Sequence, residues 1–164
     1  MVKSPSFTNL KPASEASSRA KRHNRRTDTQ HEKMLRSELW RMGLRYRKNV
    51  GALPGKPDIV FIRARVAVFC DGDFWHGRNW KELKSKLCQG TNAEYWLSKI
   101  EGNIERDRLN TALLEADDWS VLRLWETDIK RDPQAAAELV KAVVIERYKV
   151  LERASRRAVS NEIY

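Results

Sequence analysis

The chain has few of the residues that stabilise small proteins by cross-links. Only two of its 164 residues are cysteines, and Cys70 and Cys88 form neither a CxxC pair nor part of a cluster with metal-ligand spacing. Cys70 lies inside an apolar run, which predicts a small buried thiol. The sequence therefore requires neither disulfides nor an oxidising compartment, and its length suffices for one domain with a hydrophobic core.

Long apolar stretches are missing as well. No run approaches the roughly 18 residues that a membrane-spanning helix needs. The polar, basic first residues also lack the apolar core of a signal peptide. We therefore expect a soluble, cytoplasmic protein with no membrane partner.

Acidic residues are scarce in the first third of the chain. Residues 1–56 contain 14 of the 32 Lys and Arg residues but only four of the 22 Asp and Glu residues, so the net charge of +10 arises there. Concentrated positive charge is typical of proteins that bind nucleic acid, because neutralised phosphates release counterions. The alternative is a solvated basic tail without a fixed partner. Residues 1–28 show no apolar periodicity and are expected to form a flexible or partner-ordered arm. Its basic residues Lys21, Arg22, Arg25 and Arg26 would contact the backbone of a nucleic acid.

Two short runs of β-branched and aromatic residues, 59–62 and 66–70, predict an antiparallel hairpin. Asp58 opens the first run and Asp71 closes the second, so this pairing would place two carboxylates within reach of one divalent cation. His76 follows five residues after Asp71 as a candidate base. Pro-Asp and Asp-Gly are also common turn dipeptides, so each acid taken alone has a structural explanation.

The remaining pattern predicts three amphipathic helices and two further strands. Thr29 and Glu32 have capping-box spacing at the start of the first helix. Residues 77–90 have no clear period and are expected to form a loop. The predicted helices cover residues 29–43, 91–114 and 132–157, and the predicted strands cover residues 46–50 and 119–125. This order predicts an α/β sandwich around a mixed sheet.

Aromatic residues follow the hairpin in an otherwise polar segment. If this turn leaves the core, Phe74 and Trp75 are displayed beside the candidate metal site, and Trp96 could join them from the second helix. Such rings can wedge between base pairs, at a cost of about a few kcal/mol per unstacked step. Burial in the core is the alternative, above all for Trp96.

Five motifs, in order and over residues 21–130, resemble the very short patch repair (Vsr) DNA mismatch endonucleases. They are Thr-x-x-Glu at 29–32, Pro-Gly-Lys-Pro-Asp at 54–58, Asp-Gly-x-Phe-Trp-His-Gly at 71–77, Glu-Tyr-Trp-Leu-x-Lys-Ile-x-x-Asn-x-x-Arg-Asp at 94–107, and Val-Leu-Arg-Leu-Trp-Glu at 121–126. The resemblance implies a restriction-endonuclease-like (PD-(D/E)XK-type) fold, with its core at 29–131, the arm at 1–28 and a C-terminal helix and tail at 132–164. It also implies a bacterial or archaeal, nucleoid-associated enzyme that nicks DNA 5′ to the T of a T:G mismatch.

Residue by residue, the resemblance implies a Mg²⁺ site and a general base. Asp58 would ligate Mg²⁺, together with the backbone carbonyl of Cys70 and with Asp71 close to the scissile phosphate. His76 would be the base, supported by Glu32. The other matched positions are Asn103 and Asp107, near the metal-bound waters, and the rings Phe74, Trp75 and Trp96 at the mismatch. Without the resemblance, the face containing Asn103 and Asp107 would predict a surface ion-pair network.

The resemblance is incomplete at the family's structural zinc site. Where that site has Cys and His ligands, this chain has Asp73, Arg78, Trp80 and Thr127, so no zinc is expected. The loop at 77–90 must then be held by other contacts, with packing of Trp80 as one candidate.

The missing zinc ligands lie beside the expected position of the mismatch. Their replacement is therefore expected to affect substrate specificity more than catalysis. Two alternatives therefore stay open. One is a nuclease of the same fold that cuts other DNA structures or foreign DNA, and the other is a non-catalytic binder of distorted DNA. Binding alone does not need the acids Asp58, Asp71 and Glu32 together with His76, which favours an enzyme. We expect a monomer, and a repair or methyltransferase partner is not identifiable from the sequence.

Overall fold

The computed structural model describes residues 27–161, with side chains described through residue 156. Most of the predicted arm, including Lys21, Arg22, Arg25 and Arg26, lies outside the described residues. The fold and site below therefore concern the part of the chain that follows the arm.

Four strands form one mixed sheet in the order β1-β2-β3-β4. They are β1 (Arg47–Lys48), β2 (Ile59–Phe61), β3 (Val66–Asp71) and β4 (Ser120–Trp125). The pairs β1/β2 and β2/β3 are antiparallel, which confirms the predicted hairpin, and β3/β4 is parallel. Every residue of β2 and β3 is buried, as expected for strands covered on both faces.

Within residues 27–161, five helices surround this sheet. They are α1 (Gln30–Arg41), α2 (Trp80–Cys88), α3 (Ala93–Ala116), α4 (Glu126–Arg131) and α5 (Pro133–Asn161). The larger core cluster joins one face of the sheet to α1, α4 and α5 through Leu35, Leu39, Ile129, Val140 and Val144. The smaller cluster joins the other face to the end of α3 through Val60, Ala67, Phe69, Leu114 and Trp119. The predicted α/β sandwich with a mixed sheet and a long C-terminal helix is confirmed.

Alternation along β3 positions the site. Val66, Val68 and Cys70 belong to the larger cluster, whereas Ala67 and Phe69 belong to the smaller one. Because successive side chains of a strand point to opposite faces, Asp71 continues the second series and lies on the α3 side of the sheet.

One sequence-based expectation about an element is wrong, and one helix was not predicted. Residues 77–90 were expected to form a loop but contain the helix α2, in which no residue is buried. Trp80, Leu83 and Leu87 have helical spacing, yet the surrounding lysines obscure the period, and α2 is tied to α3 by the Lys84–Glu101 ion pair at 2.8 Å. The helix expected from residue 132 is preceded by a separate helix, α4, that directly follows β4.

The start of the last helix agrees with the prediction. Asp132 Oδ1 accepts a hydrogen bond from the Ala135 N–H at 2.9 Å, as a helix-capping carboxylate does. The helix α5 has 29 residues and contacts the core through Ala137, Val140 and Val144. Across residues 27–161, no helix is at once long and apolar enough to span a membrane.

Candidate active site

One end of the sheet gathers the residues that the sequence predicts for catalysis. Asp58 precedes β2 and Asp71 ends β3, so the antiparallel pairing places both at this end. The Asp58 N–H donates to the Val68 carbonyl at 3.0 Å, and Asp58 Oδ2 accepts from the Cys70 N–H at 2.7 Å. The predicted proximity of the two ends of the hairpin is thus confirmed.

The first part of the site, which we call the acidic half, consists of Asp58, Glu32 and the Cys70 carbonyl. Burial raises the pKa of Asp58 to about 6, and the charges of Glu32 and Asp71 add to this effect, whereas the hydrogen bond from Cys70 and the charge of His76 oppose it. Among the described side chains, Asp58 forms no ion pair. A buried carboxylate crowded by other acids is a site that a divalent cation fits, because the cation would remove the repulsion.

Glu32 is 2% exposed and lies at the start of α1. Its Oε1 accepts hydrogen bonds from the Thr29 hydroxyl at 2.7 Å and the Thr29 N–H at 3.3 Å, and its Oε2 accepts from the Asp28 N–H at 2.9 Å. The predicted capping box is confirmed. The cap therefore fixes a negative charge beside Asp58.

His31 is a residue of the site that sequence analysis missed. It is 6% exposed, and its Nε2 lies 3.3 Å from the Cys70 carbonyl oxygen, which is the oxygen that the resemblance assigns to the metal. Its Nδ1 lies 3.8 Å from Glu126 Oε1 at the start of α4. The signal available in the sequence was a histidine directly before Glu32 in the capping box.

The second part of the site, which we call the paired half, consists of Asp71, His76, Asp107 and Arg123. His76 Nδ1 lies 2.5 Å from Asp107 Oδ2 and 3.5 Å from Asp71 Oδ1. Burial alone would lower the pKa of His76, but the hydrogen bond with Asp107 and the charges of both acids raise it above its ordinary value. A ring that donates its Nδ1–H to a carboxylate presents Nε2 for proton transfer.

Arg123 lies in the matched motif at 121–126, but the sequence did not identify it as a site residue. Its guanidinium donates to both oxygens of Asp71, at 2.7 and 2.8 Å, and its Nη2 lies 3.1 Å from Asp107 Oδ1. The ligand atoms of Asp71, His76 and Asp107 lie within 4.8 Å of one another, a spacing that could hold a metal. Arg123 already supplies positive charge to both of these acids. An arginine inside an otherwise apolar strand was the signal in the sequence.

Three rings meet beside the paired half, as the sequence analysis anticipated. The ring centroids are 5.3 Å apart for Phe74 and Trp75, 5.5 Å for Phe74 and Trp96, and 5.8 Å for Trp75 and Trp96. Phe74 is 38% exposed, and the two tryptophans are partly buried. The rings form a cluster that is packed on itself yet reaches solvent.

Phe74, Trp75 and His76 lie on one turn, residues 73–78, which we call the ring-bearing turn. Asn103 Nδ2 donates to the Trp75 carbonyl at 2.9 Å, which anchors the turn to α3. Gly77 adopts φ +70°, and a Cβ there would lie 2.5 Å from Ile104 Cδ1. Only glycine therefore fits at this position without strain.

Comparison with known proteins identifies relatives of this chain. The family model described as DNA mismatch endonuclease Vsr matches residues 12–82. The type II nicking enzyme V.NmeDIP of Neisseria meningitidis serogroup C is 44% identical over 121 residues, which cover 74% of this chain and 80% of that protein. The type II nicking enzyme V.HpaIIP of Haemophilus parainfluenzae is 37% identical over 119 residues, covering 73% and 83%. The DNA mismatch endonuclease Vsr of Escherichia coli K12 is 39% identical over 103 residues, covering 63% and 64%.

Proposed function

Because this chain belongs to the Vsr family of DNA endonucleases, we propose that it nicks duplex DNA at T:G mismatches by Mg²⁺-dependent hydrolysis. The single observation that carries the proposal is the arrangement of the two halves of the site. An acid that forms no ion pair among the described side chains, Asp58, lies beside a histidine that Asp107 orients. One chain supplies all of these groups, so we propose that it acts as a monomer.

Asp58 and the Cys70 carbonyl are the proposed ligands of Mg²⁺. When bound there, the cation would polarise the phosphate and stabilise the leaving oxygen. Asp71 is a third ligand predicted from the sequence, but both of its carboxylate oxygens accept hydrogen bonds from Arg123. We therefore propose that Asp71 acts mainly within the paired half.

His76 is the proposed general base. Its Nε2 takes a proton from the attacking water, and Asp107 stabilises the resulting imidazolium through the Nδ1–H hydrogen bond. Arg123 holds Asp107 and Asp71 in place and limits the negative charge around the ring. Glu32 supports the base indirectly, through its charge beside Asp58 and its place at the start of α1.

The ring cluster is the proposed mismatch reader. Phe74, Trp75 and Trp96 would insert where base stacking is already weakened, since unstacking costs least at a mismatch. Asn103 keeps the turn in register with α3 through the Trp75 carbonyl. The arm with Lys21, Arg22, Arg25 and Arg26 would bind phosphates and make affinity salt-dependent.

Strand-specific cleavage tests the proposal. Two end-labelled duplexes, one with a central T:G mismatch and one fully paired, are incubated with Mg²⁺ or with a chelator. We expect a Mg²⁺-dependent nick confined to the T strand of the mismatched duplex. Equal cutting of both duplexes would reject mismatch specificity and favour a nuclease for other DNA structures, and a lack of cutting would favour a binding protein.

A further inference from the structure

Four side chains from two distant segments form a network behind the ring-bearing turn. Arg78 Nη1 donates to Asp73 Oδ1 at 3.2 Å, and Arg78 Nη2 donates to Asp128 Oδ1 at 3.0 Å. The Thr127 hydroxyl donates to the other carboxylate oxygen of Asp73. We call Asp73, Arg78, Thr127 and Asp128 the ion-pair clip. It joins the two ends of the turn to the start of α4.

Two further contacts of Arg78 support the clip, one through its backbone and one through its side chain. The Arg78 N–H donates to the Asp73 carbonyl at 2.9 Å, so the turn is also closed by its own backbone. The Arg78 guanidinium lies 5.8 Å from the centroid of the Trp125 ring, at the end of β4. Arg78, Asp73 and Asp128 are only 27–34% exposed, which screens their charges less than at a fully exposed surface.

The elements that the clip connects differ in how firmly they are held. The helix α4 is anchored in the core by Ile129, which is fully buried. The turn carries Phe74, Trp75 and His76, and on its other side it is held by the hydrogen bond from Asn103 on α3. A rigid contact to α4 would thus fix the rings and the base relative to the sheet.

We propose that Arg78 is a positioning residue, and that the ion-pair clip fixes the ring-bearing turn at the place where the resemblance leads one to expect zinc. The side chains of the clip do not fit zinc, because Asp73 and Thr127 offer no thiolate and the positively charged guanidinium of Arg78 lies between the carboxylates of Asp73 and Asp128. Trp80 begins α2, and the centroid of its ring lies 5.8 Å from Lys84 Nζ. The geometry of the turn is then sensitive to salt and independent of zinc.

The test compares Arg78→Met with the matched control Arg131→Met. Arg131 Nη2 also lies 3.1 Å from Asp128 Oδ1, but both residues belong to α4 and Arg131 is 75% exposed. Each variant therefore loses one positive charge and one partner of Asp128, and only Arg78→Met releases the turn. Arg78→Lys restores the charge without the fork that reaches both acids.

The first measurement is amide hydrogen exchange of residues 74–78, which does not depend on any substrate. We expect exchange about tenfold faster in Arg78→Met than in Arg131→Met, with partial recovery in Arg78→Lys. Elemental analysis of the purified wild-type protein is expected to find no stoichiometric zinc. Equal exchange in the two methionine variants, or one zinc per chain, would overturn the proposal.

The second measurement is single-turnover nicking, and this part rests on the proposed function. Arg78→Met should nick about 10–100-fold more slowly than Arg131→Met at saturating DNA. The reason is that displacement of the proposed general base, His76, slows the reaction without weakening DNA binding. Equal nicking rates in spite of faster exchange would overturn the positioning role. If exchange and rate change together but the wild type cuts paired DNA equally well, the clip stands and the mismatch specificity fails.

Discussion

The acidic half and the paired half each contain an aspartate whose pKa is raised by burial, but they balance its charge differently. Asp71 has a bidentate partner, Arg123, at 2.7 and 2.8 Å. Asp58 accepts a hydrogen bond from the Cys70 N–H and lies near the charge of Glu32, which raises its pKa further. In the acidic half, Arg36 Nη1 lies 3.8 Å from Glu32 Oε2. The comparison therefore concerns the two aspartates: Asp71 has its own cation, whereas Asp58 suits an added one.

Removal of the charge of Asp58 should have the largest effect. Asp58→Asn keeps an acceptor for the Cys70 N–H but loses the anion that would hold Mg²⁺, so nicking should fall at least about 10²–10³-fold. Affinity for uncut DNA should stay near that of the wild type. Single-turnover cleavage and gel-shift titration measure the two quantities. Wild-type nicking by this variant would show that the acidic half does not hold the metal.

The same variant tests charge balance in the absence of metal. Because burial raises the pKa of Asp58 from 3.8 to about 6, the native state binds this proton more tightly than the unfolded state, and stability is lost as the pH rises through this range. Asp58→Asn should therefore raise the free energy of unfolding by about 1–3 kcal/mol near pH 8 and change it little near pH 4. Denaturant unfolding in chelator measures the difference. A gain of the same size at both pH values would contradict the assigned cause.

Removal of the internal cation should break the paired half. Arg123→Met leaves Asp71 and Asp107 without the guanidinium that pairs with both of them, and the free energy of unfolding should fall by about 3–5 kcal/mol. The control is Arg108→Met, which breaks an exposed pair with Glu105 at 2.9 Å and should cost about 0–1 kcal/mol.

A metal-binding measurement sharpens the same contrast. In Arg123→Met, added Co²⁺ should bind to the freed group of Asp71, His76 and Asp107. This second site should add a visible absorption band to any absorption from Co²⁺ at the acidic half, which the wild type shares. If the two arginine variants are equally stable and neither gains the band, the guanidinium does not balance this half.

Gly77 tests how the turn supports the paired half. Gly77→Ala combines φ +70° with a contact of 2.5 Å to Ile104 Cδ1, so the free energy of unfolding should fall by about 1–3 kcal/mol and nicking should slow as His76 shifts. Gly102→Ala is the control, because a Cβ there meets nothing within 4 Å and helix propensity should add up to about 1 kcal/mol. Thermal unfolding of both variants decides, and equal stabilities would argue against strain at the turn.

Trp75 should have the smallest effect on either half. Trp75→Ala should reduce the preference for mismatched over paired DNA by about tenfold, since stacking on a base contributes about 1–3 kcal/mol. Mg²⁺ dependence should be unchanged, because Trp75 is not among the proposed ligands of the metal. Trp40→Ala, at a site that is 58% exposed on α1, is the control. Equal losses on both substrates would count against insertion at the mismatch.

Much of the fold was predictable because its signals are local. The hairpin with Asp58 and Asp71 at one end follows from β-branched runs and a short turn, and the capping box of α1 follows from the spacing of Thr29 and Glu32. The helices α2 and α4 were not predicted. No residue of α2 is buried, and lysines surround its apolar positions Trp80, Leu83 and Leu87, so their helical spacing is hard to recognise. The helix α4 is too short for a period to develop.

In the candidate site, too, the features with local signals were predictable and those that depend on distant residues were not. The sequence by itself determined the two acids at the end of the hairpin, the histidine after them and the nearby aromatic residues, because their spacing along the chain and the period of the strands bring them together. It could not assign partners to Asp71, His76 or Asp73. Arg123 lies 52 residues from Asp71, Asp107 lies 31 residues from His76, and Asp128 lies 50 residues from Arg78.

Only the tertiary structure decided which acids have a cation. The parallel pairing of β4 with β3 brings Arg123 to Asp71, packing of α3 on the sheet brings Asp107 to His76, and the turn from β4 into α4 brings Asp128 to Arg78. Ion pairs depend on distance in space, whereas the sequence records only distance along the chain. For this reason residue types and local spacing predicted the kind of chemistry, and the folded chain determined how its charges are divided.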